Sequence, residues 1–388
     1  MSDLVIRNIG TIATGDMVSP LADGDTIVAR AGRIEFVGMW AEADVTSIDA
    51  MIDAAGASVI PGLIDNHVHP VIGDFTPRQR TFDFIDSALH GGVTTMVSAG
   101  EPHTPGRPTD PVGVKALTIL AHKSFQNLRP SGVKVHAGAV LLEPGLTEAD
   151  FVEMAEAGVH LVAEIGISGV KDPSEAAEMT RWAQANGMKV MVHTGGASIP
   201  GSGVIGADFV IAVQPDVAGH TNGGPTAPPL SDVERILEET AARIEIVHNG
   251  NVRAAGDVAA LAADRGELDR VVLGTDSPAG SGVQPLGILR VMAWVAALGG
   301  VSPGAAVAMA TGNTAALHGL EVGVIGPGRP ADLTVVDAPL GSQATDALGA
   351  LVIGDTLAVA AAVIDGSVRY TKSRNTPPPQ RPIAFDGV

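Results

Sequence analysis

Cysteine is absent from this chain, which excludes disulfides, thiolate metal sites and a cysteine nucleophile. Any bound metal must be held by His, Asp or Glu. Aromatic residues are scarce at 3%, so the core must be built from Ala, Val, Ile and Leu. Positive charge is also short: 24 Lys and Arg face 43 Asp and Glu, a formal net charge of −19. Such a surface repels nucleic acid and anionic membrane, and neither is an expected partner. No run of about 18 apolar residues occurs, so no membrane-spanning helix is expected. The opening MSDLVIRNIG lacks a basic stretch followed by an apolar core. It does not read as a secretion signal, and the cytoplasm is the expected location.

Apolar residues are plentiful at 45%, enough for a sizeable core, and 388 residues suit one large domain plus a smaller one. Up to about residue 60 the chain reads as short strands (DLVIRN, DTIVAR, GRIEFVG) separated by turn signals. Beyond it, apolar runs alternate with helical patterns. The runs are Ser58–Asp65, Val93–Ala99, Lys134–Leu141, Val159–Ile165, Lys189–Thr194, Asp216–His220, Ile244–His248 and Arg270–Asp276. Eight βα units of this kind predict an α/β fold, a (β/α)8 TIM-like barrel over 61–320. Ser302–His318 reads as a closing helix capped by Ser302. Short strands then return (VGVIGPG, ADLTVVDA, VAAAVIDG, SVRYTKS), which predicts a small β-sandwich domain assembled from residues 1–60 and 321–388. The proline-rich NTPPPQRPI is expected to run as an extended strap.

In such a barrel the reacting groups stand at the C-terminal ends of the strands. The first run ends in PGLIDNHVHP, where His67 and His69 at i, i+2 project from one face. Later runs deliver Glu164, His193, His220, His248 and Asp276. Taken singly, a strand-end His is more often a satisfied polar residue than a ligand. Recurrence at successive strand ends argues otherwise. A lone ionised Glu164 in an apolar strand would cost several kcal/mol unless cations stood beside it. Four His with a Glu and an Asp suit zinc or iron rather than calcium or magnesium. Six ligands exceed one tetrahedral site and fit two divalent ions. His67, His69 and Asp276 would hold the first, His193 and His220 the second, with Glu164 between them. His248 is left with three roles open: substrate contact, orienting a neighbour, or a simple strand cap. Arg107 and Lys171 are candidates for a substrate carboxylate, and either also reads as a solvated surface charge.

These residues resemble the amidohydrolase superfamily. PGLIDNHVHP is like its first-strand motif, and MATGNTAALHGLEVGVIGPGRPADLTVVD is like its closing helix and return to the sandwich. Longer segments (DFIDSALHGGVTTMVSAGEPHTPGRP, SGVKVHAGAVLLEPGLTEADF, VHTGGASIPGS, HTNGGPTA, TKSRNTPP) resemble a branch that opens cyclic amides. That resemblance implies a hydrolase of non-peptide C–N bonds. Its substrate would be a small cyclic enamide such as 6-oxo-1,4,5,6-tetrahydronicotinate, giving 2-formylglutarate and ammonia. It implies two divalent metals, both zinc or one zinc and one iron, with Glu164 where many relatives carry a carboxylated Lys. It implies a homo-oligomer, a tetramer; Asp276 is also the expected proton carrier, acting as base and then acid. Other readings are another cyclic-amide, imide or N-acyl amino acid hydrolase, or a non-catalytic scaffold; a mononuclear deaminase would have no use for Glu164. The family pattern has Gln where this chain has His248, and Asn where it has Thr275.

Overall fold

The computed structural model describes residues 3–71, 78–100, 106–196, 203–224, 226–278 and 282–388. Parts of three of the resembling segments quoted above, at residues 101–105, 197–202 and 225, lie outside them. The central strands are β1 (Leu63–Val68), β2 (Val93–Ser98), β3 (Lys134–His136), β4 (Leu161–Ile165), β5 (Lys189–His193), β6 (Val217–Gly219), β7 (Arg243–Val247) and β8 (Val271–Gly274). Every pair joined by a ladder is parallel. All residues of β1, β2, β4, β6 and β8 are buried, as expected of parallel strands covered by helices on the outside.

Ladder pairing is interrupted at two places. Between β8 and β1, single backbone bonds take over: Asp276 N–H to His67 O at 2.9 Å and His69 N–H to Ser277 O at 2.8 Å. At the other, one run of chain divides. Lys134–His136 pairs with β2, while Ala139–Val140 pairs with β4. The divide is Gly138, at φ +89°, where a Cβ would lie 2.7 Å from both His122 Cβ and Thr118 O. The sequence pattern had this as one continuous strand.

The first run divides as well. Ser58–Pro61 belongs to a different sheet, antiparallel to Leu333–Asp337 and parallel to Thr11–Ala13. The barrel strand starts at Leu63. Gly62 is the joint: a Cβ there would stand 2.1 Å from Thr94 Oγ1. Two sheets built from both ends of the chain face each other. One runs Ala384–Asp386, Ala50–Asp53, Leu4–Arg7, Thr26–Arg30, Arg33–Gly38. The other runs Ser367–Tyr370, Ala358–Ile364, Leu333–Asp337, Ser58–Pro61, Thr11–Ala13, Leu21–Ala22. Ile6, Ile12, Ile27, Ile52, Val59, Leu333 and Val363 fill the space between them.

Two other expectations change. VGVIGPG forms turns rather than a strand. The closing helix is two helices, Pro303–Met309 and Gly312–His318, with Ser302 Oγ accepting from Ala305 N–H as its cap. The break follows from a close approach, since a Cβ on Gly312 would meet Gly15 O at 2.0 Å. Gly287–Ala297, not read from the sequence, is a helix buried on most sides and apolar but for Arg290. The proline-rich segment is extended: Gln380 N–H donates to Ala338 O, and Ala384–Asp386 adds to Ala50–Asp53.

Gly62→Ala is expected to lower stability by about 1–3 kcal/mol, because the joint between the two sheets has no room for a methyl group. Denaturant midpoints measure this. Adding Thr94→Ala should return part of the loss, and a Gly62→Ala midpoint equal to wild type would count against the joint.

Candidate metal centre

Six of the strand-end residues converge. His67, His69 and Asp276 form one group and Glu164, His193 and His220 another, with ligand atoms inside each group within 4.8 Å of one another. Glu164 is 3% exposed and faces both. Its Oε1 lies 2.8 Å from His220 Nε2 and 3.3 Å from His193 Nδ1. Its Oε2 lies 3.5 Å from His67 Nε2 and 3.8 Å from His69 Nε2. Asp276 Oδ1 stands 3.1 Å from His69 Nε2 and 3.5 Å from His67 Nε2.

The ring nitrogens are set by what stands behind them. His69 Nδ1–H donates to Gly100 O at 2.7 Å, which turns Nε2 toward Asp276 Oδ1. His67 Nδ1–H donates to Glu245 Oε2, also at 2.7 Å. Glu245, fully buried, was missed in the sequence. It reaches His67 because β8 ends in Gly274 between them; a Cβ there would touch His67 Cβ at 2.7 Å. The available signal was the same as for Glu164: one carboxylate in an apolar run, RIEIV. Glu245 Oε2 also accepts the His220 backbone N–H at 3.0 Å, so it braces one residue of each group, His67 by its ring and His220 by its backbone. Carboxylate–histidine pairs of this kind orient metal ligands.

Electrostatics follow the same geometry. Burial pushes the Glu164 carboxyl up, but the His67 charge and hydrogen bonds from His193 and His220 hold it well below its ordinary range. Burial pulls His67 down, yet the carboxylates of Glu245, Glu164 and Asp276 raise it well above its usual value. Asp65 is pushed up to about 7 by burial, against hydrogen bonds from Thr275 and His67. Its oxygens take Thr275 N–H and Oγ1–H, which occupies it structurally. Two of the six residues, His220 (φ 33°) and Asp276 (φ 60°), hold left-handed backbone conformations, a strain that clusters at functional sites.

The residues fit divalent metal. His67 Nε2 is buried, lacks a hydrogen-bond partner among the described residues, and points at Glu164 and Asp276. Nitrogen and carboxylate donors with no thiolate are the expected set for zinc or iron. The other predicted site residues stand apart. Glu245 faces inward, so period two turns His248 outward, where its ring stacks on Trp294 at 5.1 Å. His248 therefore packs the helix layer rather than joining the six. Arg107 is half-buried and donates to Glu143 Oε1 at 2.6 Å. Lys171 is exposed.

The amidohydrolase family model matches residues 58–369. Enamidase of Eubacterium barkeri is 53% identical over 98% of this chain and 99% of its own length. A solved enamidase structure superposes with a TM-score of 0.94 at 52% identity, covering 99% of this chain and all of that one. Adenine deaminase 3 of Rhizobium meliloti is 30% identical over 86% of this chain, which spans 54% of that protein.

Glu245→Gln keeps the volume but offers one acceptor oxygen in place of two. Metal affinity is expected to fall about 10–100-fold, with the circular dichroism spectrum retained. Chelator competition reads the affinity, and wild-type affinity would remove Glu245 from the centre.

Proposed function

The chain belongs to the amidohydrolase family, and from that premise we propose that it hydrolyses a cyclic amide at a two-metal centre, opening 6-oxo-1,4,5,6-tetrahydronicotinate or a close analogue. The observation that carries the reading is Glu164, whose two oxygens are divided between two three-residue groups. Identity to an enamidase over nearly the full length of both chains supports the substrate class. His67, His69 and Asp276 would hold one divalent ion and His193 and His220 the other, with Glu164 shared. Zinc suits both positions, and iron suits one. Bound there, divalent ions polarise a carbonyl and lower the pKa of water toward about 7.

The protein's own residues supply the rest. Asp276 is the most open of the six, with 15% of its side chain exposed. Burial raises its pKa, but His67 and His69 hold it below the usual carboxylate range, so it is ionised and ready to accept a proton. It takes the proton released as water adds to the lactam carbonyl and returns it to the leaving nitrogen. The C–N bond breaks, the freed enamine becomes an imine, and a second water releases ammonia. For a substrate carboxylate, Arg107, anchored by the buried Glu143, is the stronger candidate than the exposed Lys171. Among the described residues no helix is long and apolar enough to cross a membrane. A cytoplasmic homotetramer completes the proposal, and light scattering tests the assembly.

Purified protein is expected to carry close to two metals per chain. Chelation should abolish activity, and metal alone should restore it, because Glu164 needs no carbon dioxide to form. Additional rescue by bicarbonate would count against the site. Among six-membered lactams, the unsaturated carboxylated ring should release ammonia, while a saturated ring should open without doing so. Metal-loaded protein that opens no lactam would overturn the function. Glu164→Gln should lose metal occupancy, and full occupancy with full activity would sink the shared role.

A further inference from the structure

Behind the metal centre, a buried line of hydrogen bonds continues past Glu245. Asn66 Nδ2 stands 2.6 Å from Glu245 Oε1, and His318 Nε2 stands 2.7 Å from Asn66 Oδ1. Asn66 and Glu245 are both fully buried. His318 ends the helix Gly312–His318, outside the strand-end residues altogether.

Each bond in this line has one possible direction. A carboxylate only accepts, so Asn66 turns its amide N–H to Glu245 and its oxygen to His318. That oxygen only accepts, so His318 must carry its proton on Nε2. The remaining His318 nitrogen, Nδ1, is buried with no hydrogen-bond partner among the described residues. A neutral ring is required, and the surroundings supply one. Burial first, then the neighbouring His136, His160 and Lys189, push His318 down to about 3. His160 and Lys189 stand at the starts of β4 and β5, so the line runs from the ligand end of the barrel toward its opposite end.

We propose that His318 and Asn66 are positioning residues for the metal centre: they occupy Glu245 Oε1, so that Glu245 Oε2 is held for His67 Nδ1 and the His220 backbone. The inference rests on the metal-centre reading above. Without the Asn66 N–H, Oε1 would be a buried charged acceptor lacking a partner, which costs more than the bond itself. The carboxylate would then rotate toward the donors meant for Oε2. His67 would lose its fixed tautomer, and the lone pair at Nε2 would no longer be assured. A line of this length also explains why a helix end distant from the ligands carries a polar ring where an apolar side chain would pack as well.

The experiment compares His318→Leu with His318→Gln in metal-loaded enzyme. Glutamine can donate an N–H to Asn66 Oδ1; leucine fills similar space and cannot. In His318→Leu, metal should be stripped by chelator about 10–100-fold faster, with kcat reduced and KM unchanged. His318→Gln should recover most of both at a Tm matching the leucine variant. Equal stripping rates for the two variants, or leucine matching wild type, would overturn the proposal. Asn66→Leu cuts the line in the middle and should reproduce His318→Leu, and the double variant should add little. Fully additive effects would overturn it too. Wild-type enzyme that binds no metal would instead overturn the metal-centre reading itself.

Discussion

Buried negative charge is the constraint around which the barrel is arranged. Asp65, Glu164 and Glu245 are 1%, 3% and 0% exposed, and Asp276 stands beside them. An ionised carboxylate withdrawn from water is tolerated only when donors or cations replace the water. The four meet this in different ways. Asp65 takes two donors from Thr275 and one from His67, and still has its pKa raised to about 7. Glu245 is satisfied by N–H groups from His67, Asn66 and His220. Glu164 and Asp276 face mainly imidazoles, whose outward nitrogens are lone pairs unless protonated. Two divalent cations would replace protons in that position, and their charge would match that of the four carboxylates.

Local backbone choices serve this arrangement. Gly274 lets Glu245 reach across β8 to His67, because the contact distance leaves no space for a Cβ. His220 and Asp276 hold left-handed conformations that side chains with a Cβ rarely adopt. In each case a backbone bond fixes the strained residue: His220 N–H to Glu245, and Asp276 N–H to His67 O. The surrounding α/β scaffold is built from ordinary apolar packing, and the departures from routine geometry lie where the charges lie.

Six ligand candidates were legible in the sequence because type and position recur together: a His, Glu or Asp at the end of one apolar run after another. Glu245 carries the same kind of signal but sits inside its run, two residues before the strand ends, so the strand-end rule passed over it and selected His248. Counting inward from Glu245 by twos would have turned His248 away. The split of the first and third runs was not legible. Gly62 and Gly138 divide them because of Thr94 and His122, contacts made only in the folded chain. The same holds for the closing helix, broken where Gly312 meets Gly15 from the far end of the sequence. The helix Gly287–Ala297 was obscured because it is apolar on nearly every side.

The seam between the last strand and the first joins architecture to chemistry. Ladder pairing fails between β8 and β1, and the bonds that replace it come from Asp276 and His69, one candidate ligand from each side. Asp276 N–H holds His67 O, His69 N–H holds Ser277 O, and the Asn249 amide donates to Asp276 O. The two strands are therefore brought together by the same short segments that carry His67, His69 and Asp276. Shifting that register by one residue would turn Asp276 away from the face that carries His67 and His69. The carboxylate proposed to carry the proton is thus placed by barrel assembly itself, and its position is as rigid as the seam. Its side chain remains the one most open to solvent among the six, which lets a fixed group exchange its proton while Glu164 behind it stays dry.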